Sequence, residues 1–318
     1  MNARVALSVY SSREEIERLM QTVGHAQATM AGTEGVIDLI INGNASLAQE
    51  AAARVRALPA ASEATPLRVW HIAFGDKCGA WNQYIHEIAP PAGTYVMVDG
   101  YALANRNAVA NLRSTLDTHP EALAATGLPG NGRTAEAMAR GIRAEGGLIF
   151  CLHALRGDTV KEMRRIGFRL PLGMYRIDSA LGAACAFGLN LRERRWAPRE
   201  RVAVADDASW LAPPQRWWHP SDIRGQWKRL QRQAQGHLEN AAIRSWLHLR
   251  DAPFEQLPRT LPELIQEWMG SYPEDAKRLL RRHRLSRRAL PRMLEARDWS
   301  LAQQPPQCLV DQTQGALP

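Results

Sequence analysis

Short apolar runs alternate with longer amphipathic segments in the first part of the chain. The runs are rich in Val, Ile and aromatic residues and stop at polar or turn-forming residues; they cover 5–10, 36–41, 67–74 and 95–98. Apolar residues recur every three or four positions in the segments 14–23, 46–58, 77–88 and 105–116. The runs predict strands and the segments predict helices. Because parallel strands joined by helices need right-handed crossovers, the pattern predicts an α/β fold with a mostly parallel sheet flanked by helices.

The residues that follow each predicted strand are the first candidates for a ligand site, because ligands of open parallel sheets bind at the carboxyl ends of the strands. These endings are Tyr10-Ser11-Ser12, Asn42-Gly43-Asn44, Gly75-Asp76-Lys77 and Asp99-Gly100-Tyr101. All of them are polar or contain glycine, as a site for a phosphorylated ligand requires. Ordinary turn and helix-cap roles also explain each ending by itself, and the sequence leaves both interpretations open.

Several common motifs are absent from the chain. No Gly-x-Gly-x-x-Gly follows the first strand, which disfavours a dinucleotide-binding Rossmann domain, and no Gly-x-x-x-x-Gly-Lys-[Ser/Thr] indicates a P-loop NTPase. Neither Gly-x-Ser-x-Gly nor His-Glu-x-x-His occurs, which removes the most recognisable hydrolase classes.

Cysteine usage and hydropathy indicate the compartment. The four cysteines form no Cys-x-x-Cys pair, so the sequence predicts neither a disulfide framework nor a zinc site. No apolar stretch approaches the roughly 20 residues of a membrane-spanning helix, and the first residues lack the apolar core of a signal peptide. We therefore expect a cytoplasmic protein with buried thiols.

Basic charge is concentrated in the second part of the chain. Of 318 residues, 40 are Lys or Arg and 32 are Asp or Glu, which gives a net charge of +8. Residues 1–189 contribute +1 and residues 190–318 contribute +7, and eight of the ten tryptophans also follow residue 190. This change predicts a ligand-binding body over 1–190, a loop with a basic helix over 191–257, a small helical appendage over 258–303 and a disordered tail over 304–318.

Several segments of the body carry a family resemblance. They read VALSVYSSREEIERLM, VIDLIINGNAS, GDKCGAWNQYIHEIAPPAGTYVMVDGYA and, further on, GLIFCLHALRGDTVKEM and LPLGMYRIDSAL. In order and approximate spacing, the chain resembles the family 2 glycosyltransferases over about residues 4–190. The resemblance implies a GT-A fold and inverting transfer of a sugar from a nucleotide-sugar donor to an acceptor hydroxyl. It also makes 1–190 the catalytic body and 191–257 the acceptor-side flap.

The resemblance implies roles for individual residues. Asp178 stands where the family has its catalytic base, and Asp99 matches the first carboxylate of the Asp-x-Asp motif at the diphosphate and metal site. Gln226 and Arg229 resemble a degenerate Gln-x-x-Arg-Trp motif in which Leu230 replaces the tryptophan, and a solvated amphipathic helix is the favoured alternative. The other implied donor-site residues are Tyr10, Ser11, Asn42, Asn44, Lys77, Asn82, Tyr101 and Arg176.

The chemistry of transfer needs positive charge at the departing diphosphate, supplied by a divalent cation or by fixed cationic groups. Mg²⁺ and Mn²⁺ prefer oxygen ligands, which favours Asp99 as a metal ligand. However, Tyr101 stands where the family has a second carboxylate, and a lone carboxylate holds a metal poorly. Three outcomes stay open: a metal held through Asp99 alone, metal-free catalysis with Arg176 or another cation opposite the diphosphate, or an inactive fold.

The segment KRLLRRHRLSRR, residues 277–288, is intensely basic. Such a segment suits an anionic membrane surface, nucleic acid or an acidic partner. A location at the inner membrane fits the lipid-linked or polysaccharide acceptors that the resemblance implies, whereas nucleic acid is disfavoured because no recognition motif accompanies the charge. The alternative function is a non-catalytic glycosyltransferase-like protein that binds a partner through the same cleft or through its basic helices.

Overall fold

The structure is a computed structural model that describes residues 4–58, 65–213, 220–249 and 252–315, without the side chains of 220–229 and 314–315. In these ranges the strands are β1 (Val5–Ser11), β2 (Gly35–Asn42), β3 (Leu67–Ile72), β4 (Thr94–Asp99), β5 (Leu103–Ala104), β6 (Ala124–Pro129), β7 (Leu152–Arg156), β8 (Val202–Leu211) and β9 (Gln307–Asp311). The α-helices are α1 (Ile16–Met30), α2 (Ala45–Ala57), α3 (Lys77–Gln83), α4 (Ala108–Thr118), α5 (Ala135–Glu145), α6 (Gly157–Arg165), α7 (Ile177–Ala186), α8 (Pro198–Arg201), α9 (Pro220–Leu249), α10 (Leu261–Ser271), α11 (Pro273–Arg282) and α12 (Arg284–Met293).

The eight elements predicted from the first part of the chain are all present, so the predicted α/β class is confirmed. The four apolar runs form β1 to β4, and the amphipathic segments form α1 to α4. Helix α1 continues to Met30, and α3 passes into a π-helical turn over Tyr84–Ile88. The observed helix ends differ from the predicted ones, because a pattern of apolar side chains shows where a helix lies but not the residue at which it begins or ends.

All described strands belong to one sheet, in the order β5-β8-β6-β7-β4-β1-β2-β3-β9. Strands β4, β1, β2 and β3 are parallel neighbours, joined by helical crossovers. Strand β7 is antiparallel to both β4 and β6. Because four adjacent strands point the same way, their carboxyl ends and the loops that follow lie along one edge of the sheet.

Each face of the sheet carries its own hydrophobic layer, because successive residues of a strand point to opposite faces. Along β1, Val5, Leu7 and Val9 pack into a cluster with α1, α2 and α4. Ala6 and Tyr10 pack into the opposite cluster, which also contains residues of α3, α7, α9 and α10. The second cluster therefore attaches the C-terminal helices to the sheet.

Two expectations about domain organisation are wrong. Strand β8 comes from beyond the predicted boundary at residue 190, yet it pairs with β6 and β5 inside the central sheet. The tail 304–318 is not disordered over Gln307–Asp311, because β9 pairs with the edge strand β3 and its residues Leu309 and Val310 pack against the cluster under α1, α2 and α4. The local sequences of β8 and β9 have only a weak preference for a strand. Pairing with the neighbouring strands of the sheet stabilises both of them.

The C-terminal helices α9 to α12 pack against each other and against the body. Helix α12 contacts α9, and the buried Ser286 hydroxyl donates to the Ala234 carbonyl. Helix α10 begins with a capping box between Thr260 and Glu263. In the described ranges no helix combines the length and the apolar character that crossing a membrane requires.

Candidate functional site

The loops after β1, β2, β3 and β4 approach each other closely at the sheet edge. A Cβ atom on Gly43 would lie 2.3 Å from the Cα of Gly75, and Gly43 has a φ of +69°. A Cβ atom on Gly100 would lie 2.8 Å from the carbonyl oxygen of Tyr10, which accepts the Gly100 N–H. Glycine at these turns therefore allows the four strand ends to form one compact surface.

Lys77 and Asp99 form the central contact of this surface. Lys77 is the first residue of α3, and its ammonium group contacts the Oδ1 atom of Asp99 at the end of β4. The same ammonium group lies 3.9 Å from the centre of the Phe150 ring. Asp99 is 6% exposed, whereas the Lys77 side chain is 35% exposed. The pair therefore places a solvent-accessible positive charge over a buried carboxylate.

The second carboxylate oxygen of Asp99 also has a partner, Cys151, a residue that the sequence analysis did not identify. The Cys151 thiol lies 3.5 Å from Oδ2 of Asp99, in donor geometry, and its sulfur lies 3.3 Å from the Tyr101 hydroxyl oxygen. Burial raises the pKa of both Cys151 and Tyr101, and the Asp99 charge raises both further. Both groups therefore stay protonated. Tyr101 thus supplies a neutral hydroxyl where the second carboxylate was expected.

These side chains do not form a preassembled site for a divalent cation. In the described ranges no group of three or more His, Cys, Asp and Glu side chains is arranged to hold a metal. The oxygens of Asp99 already contact an ammonium and a thiol. A metal would have to displace Lys77 and complete its shell from other sources.

Asp178 lies in the first turn of α7, and its Oδ1 atom accepts the Ser179 N–H at 2.9 Å. Burial raises its pKa, and the positive charges of Arg176 and Lys77 oppose that rise. The Lys77 ammonium group therefore contacts Asp99 directly and acts on Asp178 only through its charge. A buried carboxylate with a raised pKa is a stronger base than an exposed one.

The backbone that leads into α7 is fixed by Glu239, a residue that sequence reasoning missed. Its carboxylate accepts the Tyr175 N–H at 3.0 Å and the Arg176 N–H at 2.7 Å, and the Gln235 amide donates to it at 2.6 Å. Glu239 is fully buried, and burial raises its pKa. The sequence gives one indication of this role: the carboxylate lies among apolar residues of α9 that pack into the core, such as Leu238 and Ala242.

Arg176 has an unused donor close to Asp178. Its Nε atom is buried and has no hydrogen-bond partner among the described residues, and its side chain packs so closely on Gly236 that a Cβ atom there would lie 2.6 Å from Nε. The Gly236 backbone therefore covers this donor and holds the Arg176 side chain against α9.

Tyr10 and Ser11, both predicted donor contacts, are directed inward. Tyr10 is 3% exposed, and its ring packs edge-on against Tyr84 and Phe150 in the hydrophobic cluster. The Ser11 hydroxyl donates to Glu14 at 2.7 Å. Both residues therefore shape the end of β1, and neither presents its side chain freely at the surface.

The three predicted asparagines make contacts within the protein. Asn42 bridges two loops: its amide donates to the Ser11 carbonyl at 3.0 Å and its oxygen accepts the Asp76 N–H at 3.1 Å. Asn44 caps α2 by accepting the Leu47 N–H. Asn82 bonds both backbone groups of Leu170. In this structure the three asparagine side chains therefore have the structural roles of loop bridges and helix caps.

Asp76 joins the start of α3 to the segment before α7. Its carboxylate accepts the Gly79 N–H at 2.8 Å and the Gly173 N–H at 3.1 Å. Burial raises the pKa of Asp76 from 3.8 to about 6. This residue therefore links the two elements that carry Lys77 and Asp178. Gln226 and Arg229 lie in the first part of α9, where side chains are outside the described part of the structure.

No protein-family model and no curated protein sequence matches the chain. Solved structures do match. A mannosyltransferase from Pyrobaculum calidifontis, in complex with GDP-Man and Mn²⁺, is 17% identical with a TM-score of 0.57, over 95% of this chain and 78% of that one. TarS (residues 1–349) from S. aureus with UDP-GlcNAc is 11% identical with a TM-score of 0.47, over 92% and 89% of the two chains. Glucosyl-3-phosphoglycerate synthase from M. tuberculosis is 12% identical with a TM-score of 0.43, over 73% and 78%.

The match to the mannosyltransferase covers nearly the whole of this chain, and at 17% identity it is a likeness of fold alone. The large central sheet flanked by helices on both faces agrees with that likeness. The protein therefore has the GT-A fold.

Proposed function

We propose that this protein is an inverting glycosyltransferase that moves a sugar from a nucleotide-sugar donor to an acceptor hydroxyl. The observation that carries the proposal is the position of Lys77, whose ammonium group contacts Asp99 at the sheet edge and acts electrostatically on Asp178. We therefore assign Lys77 as the cation for the leaving group and Asp178 as the base for the nucleophile, on a fold that suits a nucleotide sugar.

The proposed mechanism is a single displacement. Asp178 accepts the proton of the acceptor hydroxyl as its oxygen attacks the anomeric carbon, and the bond from that carbon to the diphosphate oxygen breaks. Lys77 and Arg176 then stabilise the negative charge that develops on the departing diphosphate. Attack from the face opposite the leaving group inverts the anomeric configuration, so no covalent nucleophile is needed.

The sequence alone favoured Mg²⁺ or Mn²⁺ at Asp99, and the mannosyltransferase with the similar fold was solved with Mn²⁺. The contacts of Asp99 support a different arrangement here. Because the Lys77 ammonium group already occupies the Asp99 oxygen that a metal would use, we propose that this ammonium group, together with Arg176, takes the role of the cation and that transfer proceeds without a divalent metal.

Donor use tests the function directly. We expect UDP or GDP to raise the melting temperature, and we expect transfer or hydrolysis from at least one of UDP-glucose, UDP-GlcNAc and GDP-mannose. Asp178→Asn should bind the nucleotide normally and lose turnover by about 10²-fold or more, because the base is removed. Absence of both nucleotide binding and donor turnover would instead favour the non-catalytic binding protein.

We further propose that the protein attaches to an anionic membrane surface through one basic face. Residues 276–292 of α11 and α12 contain no Asp or Glu, and all eight of their Lys and Arg residues are exposed: Lys277, Arg278, Arg281, Arg282, Arg284, Arg287, Arg288 and Arg292. Leu285 is also exposed on this face. Each such charge near an anionic surface contributes about 1 kcal/mol.

Vesicle sedimentation tests this attachment. Vesicles of phosphatidylcholine and phosphatidylglycerol should retain the protein at low salt, and vesicles of phosphatidylcholine alone should not. Replacing Arg281, Arg282, Arg287 and Arg288 by Glu should release it, whereas Arg106→Glu with Arg133→Glu, two exposed arginines elsewhere, should not. Equal retention of both variants would contradict the proposal, and salt-sensitive RNA binding in place of vesicle binding would favour a nucleic-acid partner.

A further inference from the structure

A cavity of about 600 Å³ lies between α7, α9 and the segment before α8. Ser179 lines it on the α7 side, Trp196 lies in the segment before α8, and Asn240, Arg244 and His248 line it on the α9 side. Ser179 directly follows the proposed base Asp178 in the chain, although Asp178 itself does not line the cavity. The donor-site residues Lys77 and Asp99 do not line it.

One wall of the cavity is aromatic. Trp196 is 47% exposed, which is unusual for a residue that can bury so much apolar surface. Its ring is held in place by Phe187 and His248, each with a centroid distance of 5.1 Å. The two neighbouring rings hold the exposed indole in place, so the cavity has a rigid apolar surface. The C–H face of a sugar ring packs well against such a surface.

Polar side chains recur at regular intervals along the α9 wall. Asn240, Arg244 and His248 follow each other at four-residue intervals, so they lie on one face of α9 and extend over about 12 Å. The Oδ1 atom of Asn240 is buried and has no hydrogen-bond partner among the described residues. A buried acceptor without a partner is costly, and a ligand hydroxyl that donates to it removes the cost.

We infer that this cavity binds the saccharide part of the acceptor. An apolar ring platform beside a row of hydrogen-bonding groups matches a sugar, which has an apolar C–H face and a rim of hydroxyls. A span of about 12 Å accommodates roughly two sugar rings. The inference rests on the proposed function, because it identifies the occupant of the acceptor side of the same site.

Saturation-transfer difference NMR with the whole protein tests the assignment, using cellobiose, lactose, mannobiose and chitobiose as probes and no donor. At least one disaccharide should give a signal with the wild type. Trp196→Ala and Asn240→Ala should each lose most of that signal, and Trp196→Phe should retain part of it because the platform stays aromatic. Met138→Ala, which removes an exposed apolar side chain from α5, is the matched control and should behave as the wild type.

The same samples are titrated with UDP and GDP, which separates the two proposals. Disaccharide signals that depend on Trp196, together with unchanged nucleotide binding in the variants, support the cavity as the acceptor site. A wild type that gives no signal with any of the four disaccharides, or signals that persist in Trp196→Ala, overturn it. If disaccharides bind through Trp196 but no nucleotide binds, the cavity remains a saccharide site and the proposed glycosyltransferase function fails.

Discussion

The buried carboxylate of Glu239 on α9 accepts the backbone N–H of Arg176, the residue before α7, at 2.7 Å. It also accepts the Tyr175 N–H. Through these bonds, a helix far along the chain fixes the orientation of the turn that carries Asp178. Glu239 is therefore a positioning residue, because it acts on the proposed base through the backbone.

Glu239→Ala should destabilise the protein and misplace Asp178. Two buried N–H groups lose their acceptor, at about 1–3 kcal/mol each, which urea unfolding will measure. We expect kcat to fall by about tenfold or more, because the turn held by Glu239 carries both the proposed base Asp178 and Arg176, which stabilises the departing diphosphate in the proposed mechanism. Glu239→Gln, which keeps one acceptor oxygen, should recover part of both losses. Gln233→Ala, an exposed change on the same helix, is the control. Equal losses in kcat for Glu239→Gln and Glu239→Ala would argue against positioning.

Lys77→Ala should make the site sensitive to metal. In the wild type, EDTA should not change UDP or GDP binding measured by calorimetry, because Lys77 supplies the positive charge. The variant should bind nucleotide about tenfold or more weakly, and Mn²⁺ should restore part of the affinity, because the Asp99 carboxylate is then free to bind a cation. Lys161→Ala, at an exposed lysine on α6, should have no effect. Loss of wild-type nucleotide binding in EDTA would refute the metal-free arrangement.

The pH dependence of turnover should report the ionisation of Asp178. A general base works only when deprotonated, so kcat should rise with pH through its pKa, which burial has raised above the ordinary aspartate value of 3.8. Arg176→Gln removes a charge that opposes the rise and should move this acid limb to higher pH. An acid limb at the same pH in both proteins, measured at saturating donor, would mean that a different group is titrating.

The stability of the protein should depend on the ionisation of Asp76. Burial raises the pKa of this carboxyl to about 6, so the stability it contributes is fully present below pH 3.8 and is lost as the pH rises through about 6. Between about pH 4 and about pH 7, the unfolding free energy of the wild type should fall by about 2 kcal/mol relative to Asp76→Asn. Asp158→Asn, at an exposed position in α6, is the control. Parallel stability curves for wild type and Asp76→Asn would contradict the expectation.

Gly43→Ala should destabilise the sheet edge by more than about 2 kcal/mol. Its positive φ disfavours any side chain, and the added Cβ would lie 2.3 Å from the backbone of Gly75. Gly141→Ala provides the comparison, because this exposed glycine lies inside α5 with nothing within 4 Å of an added Cβ. That change should stabilise the protein by about 0.5–1 kcal/mol through helix propensity. Equal melting temperatures for the two variants would rule out the close approach.

The local pattern of the sequence determined the α/β class, the first four strands and helices, and the polar strand ends. These follow from the alternation of apolar and polar residues over a few turns or one strand, which acts over short distances. The same pattern placed Asp99 at the end of a buried strand and Lys77 at the start of a helix. It did not show that the two side chains touch, because that contact depends on how β4 and α3 meet across the sheet edge.

Only the tertiary structure decided the remaining features of the site. Cys151 reaches Asp99 because the start of β7 lies beside the end of β4, and Glu239 reaches Arg176 because α9 packs on α7. Strand β9 forms because the edge of β3 supplies backbone partners that its own sequence does not require. Each of these contacts joins residues that are far apart in the chain, and their free energy comes from burial and pairing that no local segment has on its own.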